Sequence, residues 1–218
     1  MRDDSYLPPS PSPTHPNMVT YYKVCDAQGR TRHGTFKYNL GLGELTHDPE
    51  VTDAKPLTPC RRGLHFTTWE YIWKWISELG YTHVFTVKPV GMIKEYQDKV
   101  LCASLRTMGP LRSIHEFVNE DMCADQRMEM VKYNGMLLMY IDDQTPEICL
   151  AAVRQNGWAL EYVREQTPDI CLAAVRRDGL ALRFVTHQTL EICMAAVKKD
   201  CRVYPYVEPS QYLKASQD

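Results

Sequence analysis

Cys60 and His65 stand five positions apart in the stretch TPCRRGLHFTT, with Arg61 and Arg62 directly behind the cysteine. An imidazole can draw the proton from a neighbouring thiol and leave a nucleophilic thiolate, and two guanidinium groups beside it could hold an anion. These four residues are the candidate chemistry of the first half of the chain. Against them, a turn followed by a strand does not by itself make Cys60 and His65 converge, and no third group that would orient the imidazole is evident. The competing expectation is that both side chains pack beneath the helix that follows. No Gly-rich phosphate loop, H-E-x-x-H or G-x-S-x-G occurs in the 218 residues. A non-enzymatic chain without a cofactor is therefore expected, with an enzyme or small-ligand module in the first domain as the alternative.

The second half offers a different chemistry. Trp158, Arg164, Arg176, Arg177, Arg183, His187, Lys198 and Lys199 are candidate exposed contact residues on a repeating segment. Acidic residues are interspersed with them (Glu147, Glu161, Glu165, Asp169, Asp178 and Glu191), and the whole chain carries a net charge of -2 with a pI near 6.4. Cations balanced in this way fit helix ends and contacts to protein better than a track for nucleic-acid phosphates or an anionic membrane. The apolar runs, such as Met136 to Ile141 and Ile148 to Val153, are too short to span a bilayer. No metal site is expected. The eight cysteines include no close pair, the nearest being Cys193 and Cys201, whereas zinc ligands come in steps such as C-x2-C.

The elements that must position these residues divide the chain in three. Residues 1–17 hold five prolines among serines, a composition that reads as a flexible tail, with P-x-x-P spacings at Pro8/Pro11 and Pro13/Pro16. Its acidic, proline-rich start is unlike a secretory signal. Residues 18–120 read as a small α+β module. VTYYKVC (Val19 to Cys25) is a strand, closed by the turn Asp26 to Gly29 and expected to form a hairpin with Thr35 to Tyr38. One amphipathic helix follows, capped by Thr67 with Glu70, ended by Gly80, and striped by Trp69, Ile72, Trp73 and Ile76. THVFTVKPVG and DKVLCASLRTM are two more strands, the first broken at Pro89 and Gly91.

Residues 121–218 read as an all-helical array with a period of 22: Asn134-Gly135, Asn156-Gly157 and Asp178-Gly179 recur in register, and Asp200-Cys201 keeps the place without the glycine. Thr145 and Thr167 are helix caps followed by prolines at the first helical position, and Gly157 and Gly179 are expected to stop each helix in the left-handed conformation. Cys149, Cys171 and Cys193 fall at one apolar helix position and read as core thiols. Such units are stable only when stacked, and the fourth reads as a cap. Trp158 and the final tyrosines could leave an apolar end that a second copy would cover, so a homodimer is possible.

QTPEICLAAVRQNGWALEYVREQTPDICLAAVRRDG resembles the short helical repeat of unknown function abundant in giant DNA viruses of amoebae, over about residues 122–207. The first domain is similar to an N-terminal module of such proteins through Cys60, Gly63, His65, Val90, Gly91, Lys99 and Ser104. The stretch GLHFTT also resembles the nicotinamide-binding strand of ADP-ribosyltransferases. That family expects a late E-x-E or Q-x-E step, where this chain has only KEYQDK at Lys94 to Lys99. The viral resemblances imply a viral accessory protein in the host cytoplasm or the virion, and the stacked, well-capped repeat surface is expected to bind a viral or host protein.

Overall fold

The computed structural model describes residues 20–30, 37–47, 64–96 and 99–209. The proline-rich segment 1–17, Thr35 and the Cys60-Arg61-Arg62 triplet lie outside them. The chain is α+β, in two compact units that divide between Ser113 and Ile114, so residues 114–120 belong with the helices.

The first unit contains β1 (Tyr21–Cys25), β2 (Leu45–His47), β3 (Leu64–Phe66), α1 (Trp69–Leu79), β4 (His83–Glu95), β5 (Val100–Thr107) and β6 (Arg112–Ser113). β4 and β5 form a long antiparallel hairpin. β1 lies along the first half of β4, and β2 and β3 share the far edge of β5. Directly after β3, Thr67 exchanges both backbone hydrogen bonds with Tyr22, at 2.8 and 2.9 Å. The order β1-β4-β5-β3 thus returns to β1, and the pairing closes into a ring. Register places Cys25, Leu64, Phe66, Phe85, Val87, Val100, Cys102 and Leu105 on one face, where they form a continuous buried core. α1 packs on β1, burying Ile72, Trp73 and Ile76 as the stripe requires. The Trp73 indole N–H is buried there without a hydrogen-bond partner among the described residues.

Three local expectations are corrected. β1 pairs with β4 over five residues rather than with Thr35–Tyr38, whose described part contributes one isolated bridge, Arg30 to Lys37. Val24 and Cys25 are buried on opposite faces of β1, and such a strand needs a long partner. Thr67 does not cap α1, because its backbone is held in the bridge to Tyr22. Thr68 takes the cap position without a side-chain hydrogen bond, while Gly80 ends the helix at φ 66° as expected. Pro89 and Gly91 do not break β4: Pro89 stays in register opposite Leu105, and the strand absorbs Gly91, at φ 83°, in a bulge between Val90 and Ile93.

The second unit opens with α2 (Ile114–Glu116), which runs into a π turn at Phe117–Asp121, and continues with α3 (Ala124–Tyr133), α4 (Pro146–Gln155), α5 (Pro168–Arg177) and α6 (Leu190–Lys199). Each of α3 to α6 is followed by a 3-10 helix, at Gly135–Tyr140, Gly157–Tyr162, Gly179–Phe184 and Cys201–Tyr206. The capping hydroxyls of Thr145, Thr167 and Thr189 accept the N–H groups of Ile148, Ile170 and Ile192 at 3.4, 3.4 and 3.3 Å. Cys149, Cys171 and Cys193 are buried as expected, and burial pushes each thiol above its ordinary range.

The glycines act differently from the expectation. Gly157 and Gly179 are not left-handed. The preceding Asn156 and Asp178 end the helices in extended conformation, and their side chains accept the N–H groups of Trp158 and Leu180 at 3.1 and 3.0 Å, starting the 3-10 helices. Glycine is needed because the next unit's helix comes close: a Cβ on Gly157 would lie 2.7 Å from the Ala174 carbonyl oxygen, and one on Gly179 would lie 2.8 Å from that of Ala196. Cys201, in the matching place, is exposed.

Successive units are fastened by a side chain that sequence reading passed over. The Gln144 amide donates to Tyr162 O at 2.9 Å and accepts from the Arg164 N–H at 3.1 Å, both in the next unit. Gln166 holds Phe184 O at 2.8 Å and Thr186 N at 3.0 Å, and Gln188 holds Tyr206 O at 2.8 Å and Glu208 N at 2.9 Å. Each of these glutamines also accepts the thiol of its own helix, from Cys149, Cys171 or Cys193. One unit earlier, Asn119 does the same work from a different register, donating to Tyr140 O and accepting from Asp142 N, each at 2.9 Å.

Two outcomes follow for urea unfolding of the full chain. Gly157→Ala should cost about 2 kcal/mol, since backbone cannot yield as a side chain can, while Cys201→Ala should stay within about 0.5 kcal/mol. Gln166→Glu, which keeps the acceptor but faces Phe184 O with a second oxygen, should cost about 2 kcal/mol at neutral pH. That loss should shrink as acid restores a proton to donate; a loss independent of pH would argue against the clamp.

Candidate functional site

In the first unit the most unusual side chain is Lys23, a residue sequence reading did not single out. Alternation along β1 turns it, with Cys25, toward the enclosed face of the sheet, and it is only 4% exposed. Its ammonium donates to His65 O at 2.5 Å and lies 4.9 Å from the centre of the Tyr38 ring. Burial lowers its pKa to about 8. Burial likewise pushes the Cys25 thiol up to about 12 and the Cys102 thiol up to about 11. The two thiols therefore stay protonated and enclosed, which is the reverse of what a nucleophile needs. A lysine between polar and apolar strand neighbours carries no sequence signal of this kind; only the ring closure buries it.

His65 is half-buried on β3, and its neighbours Leu64 and Phe66 point into the core. Across β5, register aligns His65 with Lys94 and Phe66 with Glu95. Glu95 is thus on the sheet face opposite to His65, and the two do not form an acid-base pair; the other carboxylate of KEYQDK, Asp98, lies outside the described residues. Val90 and Ser104, which carried part of the N-terminal resemblance, are register partners beside the bulge. Among the described residues, no group of three His, Cys, Asp or Glu side chains could hold a metal ion.

The candidate residues of the array separate into those used inside it and those left outside. Trp158, expected to be exposed, is half-buried: its indole N–H donates to Asp178 Oδ2 of the next unit at 2.8 Å, and its ring meets Phe184 edge-on at 5.6 Å. Arg164 reaches back to Asp142, donating to its carbonyl at 2.8 Å and pairing with its carboxylate, which His115 also approaches at 3.1 Å. These contacts, the Arg164 hydrogen bond first, hold the Asp142 carboxyl below its ordinary pKa. Arg177 donates to Gln155 O of the preceding unit at 3.1 Å. Arg176, His187, Lys198 and Lys199 are exposed.

Arg183 is exposed as well, but it is not loose. Its guanidinium carbon lies 5.6 Å from the Trp158 ring centre, 5.2 Å from that of Phe184 and 5.7 Å from that of Tyr206. Three rings from three successive 3-10 helices therefore cradle one cation, a geometry in which each contact is attractive.

The comparisons with known proteins bear on the helical unit alone. The family model described as "Domain of unknown function (DUF4116)" matches residues 127–166 and again 167–210. Those segments are similar to that family, and each match spans about two of the units described above; the description assigns no activity. Neither the curated proteins nor the solved structures contain a match to the chain. No described helix is long and apolar enough to cross a membrane.

The Lys23 site has a testable pH dependence. Unfolded, Lys23 holds its proton up to its ordinary 10.5, but folded only to about 8. Between those values unfolding takes up a proton, so this site's contribution to stability rises with pH across that window, and its penalty is complete below it. Lys23→Met should therefore be more stable than the wild type by about 2 kcal/mol at neutral pH, an advantage that fades toward pH 10. Urea unfolding of both chains at the two pH values checks this.

Proposed function

We propose that this chain is a non-enzymatic accessory protein whose helical array binds a viral or host protein, in the host cytoplasm or in the particle. The observation that carries the proposal is the division of labour within each unit. Buried positions repeat almost unchanged: Ile148, Ile170 and Ile192; Cys149, Cys171 and Cys193; Ala152, Ala174 and Ala196. The positions beyond each helix change chemistry from unit to unit: Glu161, Arg183 and Pro205; Arg164, Thr186 and Glu208; Glu165, His187 and Pro209. All nine are exposed. The clamps use backbone atoms of the receiving turn, so the residue type there can change without loss of the clamp. Side chains that vary on a stacked frame are what recognition of a macromolecule requires, and catalysis needs a convergent set instead.

The resemblance to giant-virus repeats supports the viral setting, and the similarity to a family without assigned activity is compatible with it. Affinity capture from infected amoebal lysate, with the full-length chain and with a full-length Arg176→Glu/Lys198→Glu chain, tests the proposal. A partner held by the first and lost by the second is the expected result. A partner held equally by both would place binding outside the array, and turnover of a substrate by the purified chain would contradict the non-enzymatic role.

A further inference from the structure

We infer that Arg183, braced by Trp158, Phe184 and Tyr206, is an anchor for a carboxylate of an acidic polypeptide segment; this deepens the proposed scaffold role and rests on it. Bracing is the first observation. A free arginine side chain gives up much conformational freedom when it binds, whereas one already stacked on three rings gives up less. Contacts of this kind do not consume the N–H donors of the guanidinium.

Those donors are the second observation. Among the described residues, the Arg183 guanidinium makes no hydrogen bond and no ion pair, although acidic groups stand nearby in sequence and in the neighbouring units. Asp178 is occupied by the Trp158 indole and the Leu180 N–H, and Asp200 by the Arg202 guanidinium and N–H. Glu161, in the matching place one unit earlier, forms no ion pair with it. Asp178 and Asp200 are thus engaged within the array, and the braced cation has no carboxylate partner among the described residues. Arg164, by contrast, is neutralised by Asp142.

The third observation selects the class of partner. Over residues 114–209 there are fifteen Asp and Glu against ten Lys and Arg. A net charge of that sign gives no polyanion a long-range attraction, so recognition has to be local, and the local feature is a fork-shaped carboxylate contact flanked by apolar rings. Tyr206, one of the bracing rings, is 41% exposed, so the partner's neighbouring side chains meet aromatic surface, and an arginine with an aromatic surround is the composition of an interface hot spot.

Titration calorimetry on the full-length chain, with a short Glu-rich peptide, a Lys-rich peptide of equal length and a single-stranded DNA of equal charge, tests this. The Glu-rich peptide should bind, lose about tenfold in affinity with Arg183→Gln, and weaken in high salt. Arg183→Lys should not restore the affinity, because the ammonium supplies no fork. The Arg183→Gln chain should still unfold cooperatively, since the glutamine clamps do not involve this side chain. Equal affinity of the wild-type and Arg183→Gln chains, full rescue by lysine, or tighter binding of the DNA would overturn the inference. Absence of any binding by the Glu-rich peptide would overturn it too, while the scaffold role would stand or fall separately on the capture experiment.

Discussion

The helical unit depends on one polar contact repeated from turn to turn: a glutamine amide that gives a proton to a carbonyl and takes one from an N–H two residues later in the next unit. Helices of ten residues are marginal by themselves, and a short 3-10 helix leaves backbone groups unpaired at its end. The amide satisfies both groups at once, where the alternative is a desolvated carbonyl and N–H that would each cost about 1–3 kcal/mol. Apolar stacking of Ile, Ala and Val supplies most of the free energy, but it is non-directional. The clamp fixes which atom of one unit meets which atom of the next.

Other features of the array fall into place around that spacing. Once the next helix is held so near, a side chain at Gly157 or Gly179 has nowhere to go, and the residue before each glycine takes over the starting of the 3-10 helix. The cysteine of each helix is small enough to let the glutamine fold over it and offers a weak donor to the same oxygen. The clamp itself takes backbone atoms of the receiving turn. The residue there is free to be Arg164 in one unit and Thr186 or Glu208 in the next, and Arg183 can be spent on the outer surface.

The α+β class, the period and the helix caps of the array were legible because each has a local signature: Thr before Pro, an apolar stripe, alternation in the strands. The role of glycine was misread because a glycine after a helix usually marks a left-handed stop, and only the neighbouring unit reveals the steric reason. The glutamines could have been found: a polar residue kept at one period outside every helix needs a partner in another unit. Asn119 could not, since it fills that role out of register. Lys23 was equally hidden, for its burial arises when Thr67 meets Tyr22 across the sheet, a pairing of residues 45 positions apart. Cys60, Arg61 and Arg62 lie outside the described residues, so the first candidate chemistry rests on sequence alone.

Residue-resolved amide hydrogen exchange on the intact chain tests most directly that the units are locked by their glutamine clamps. The N–H groups of Arg164, Thr186 and Glu208 lie in exposed turns, where unclamped amides exchange rapidly. The clamp requires these three to be protected and to exchange together with the core amides of α4, α5 and α6. Rapid exchange at all three while the helices remain protected would contradict it.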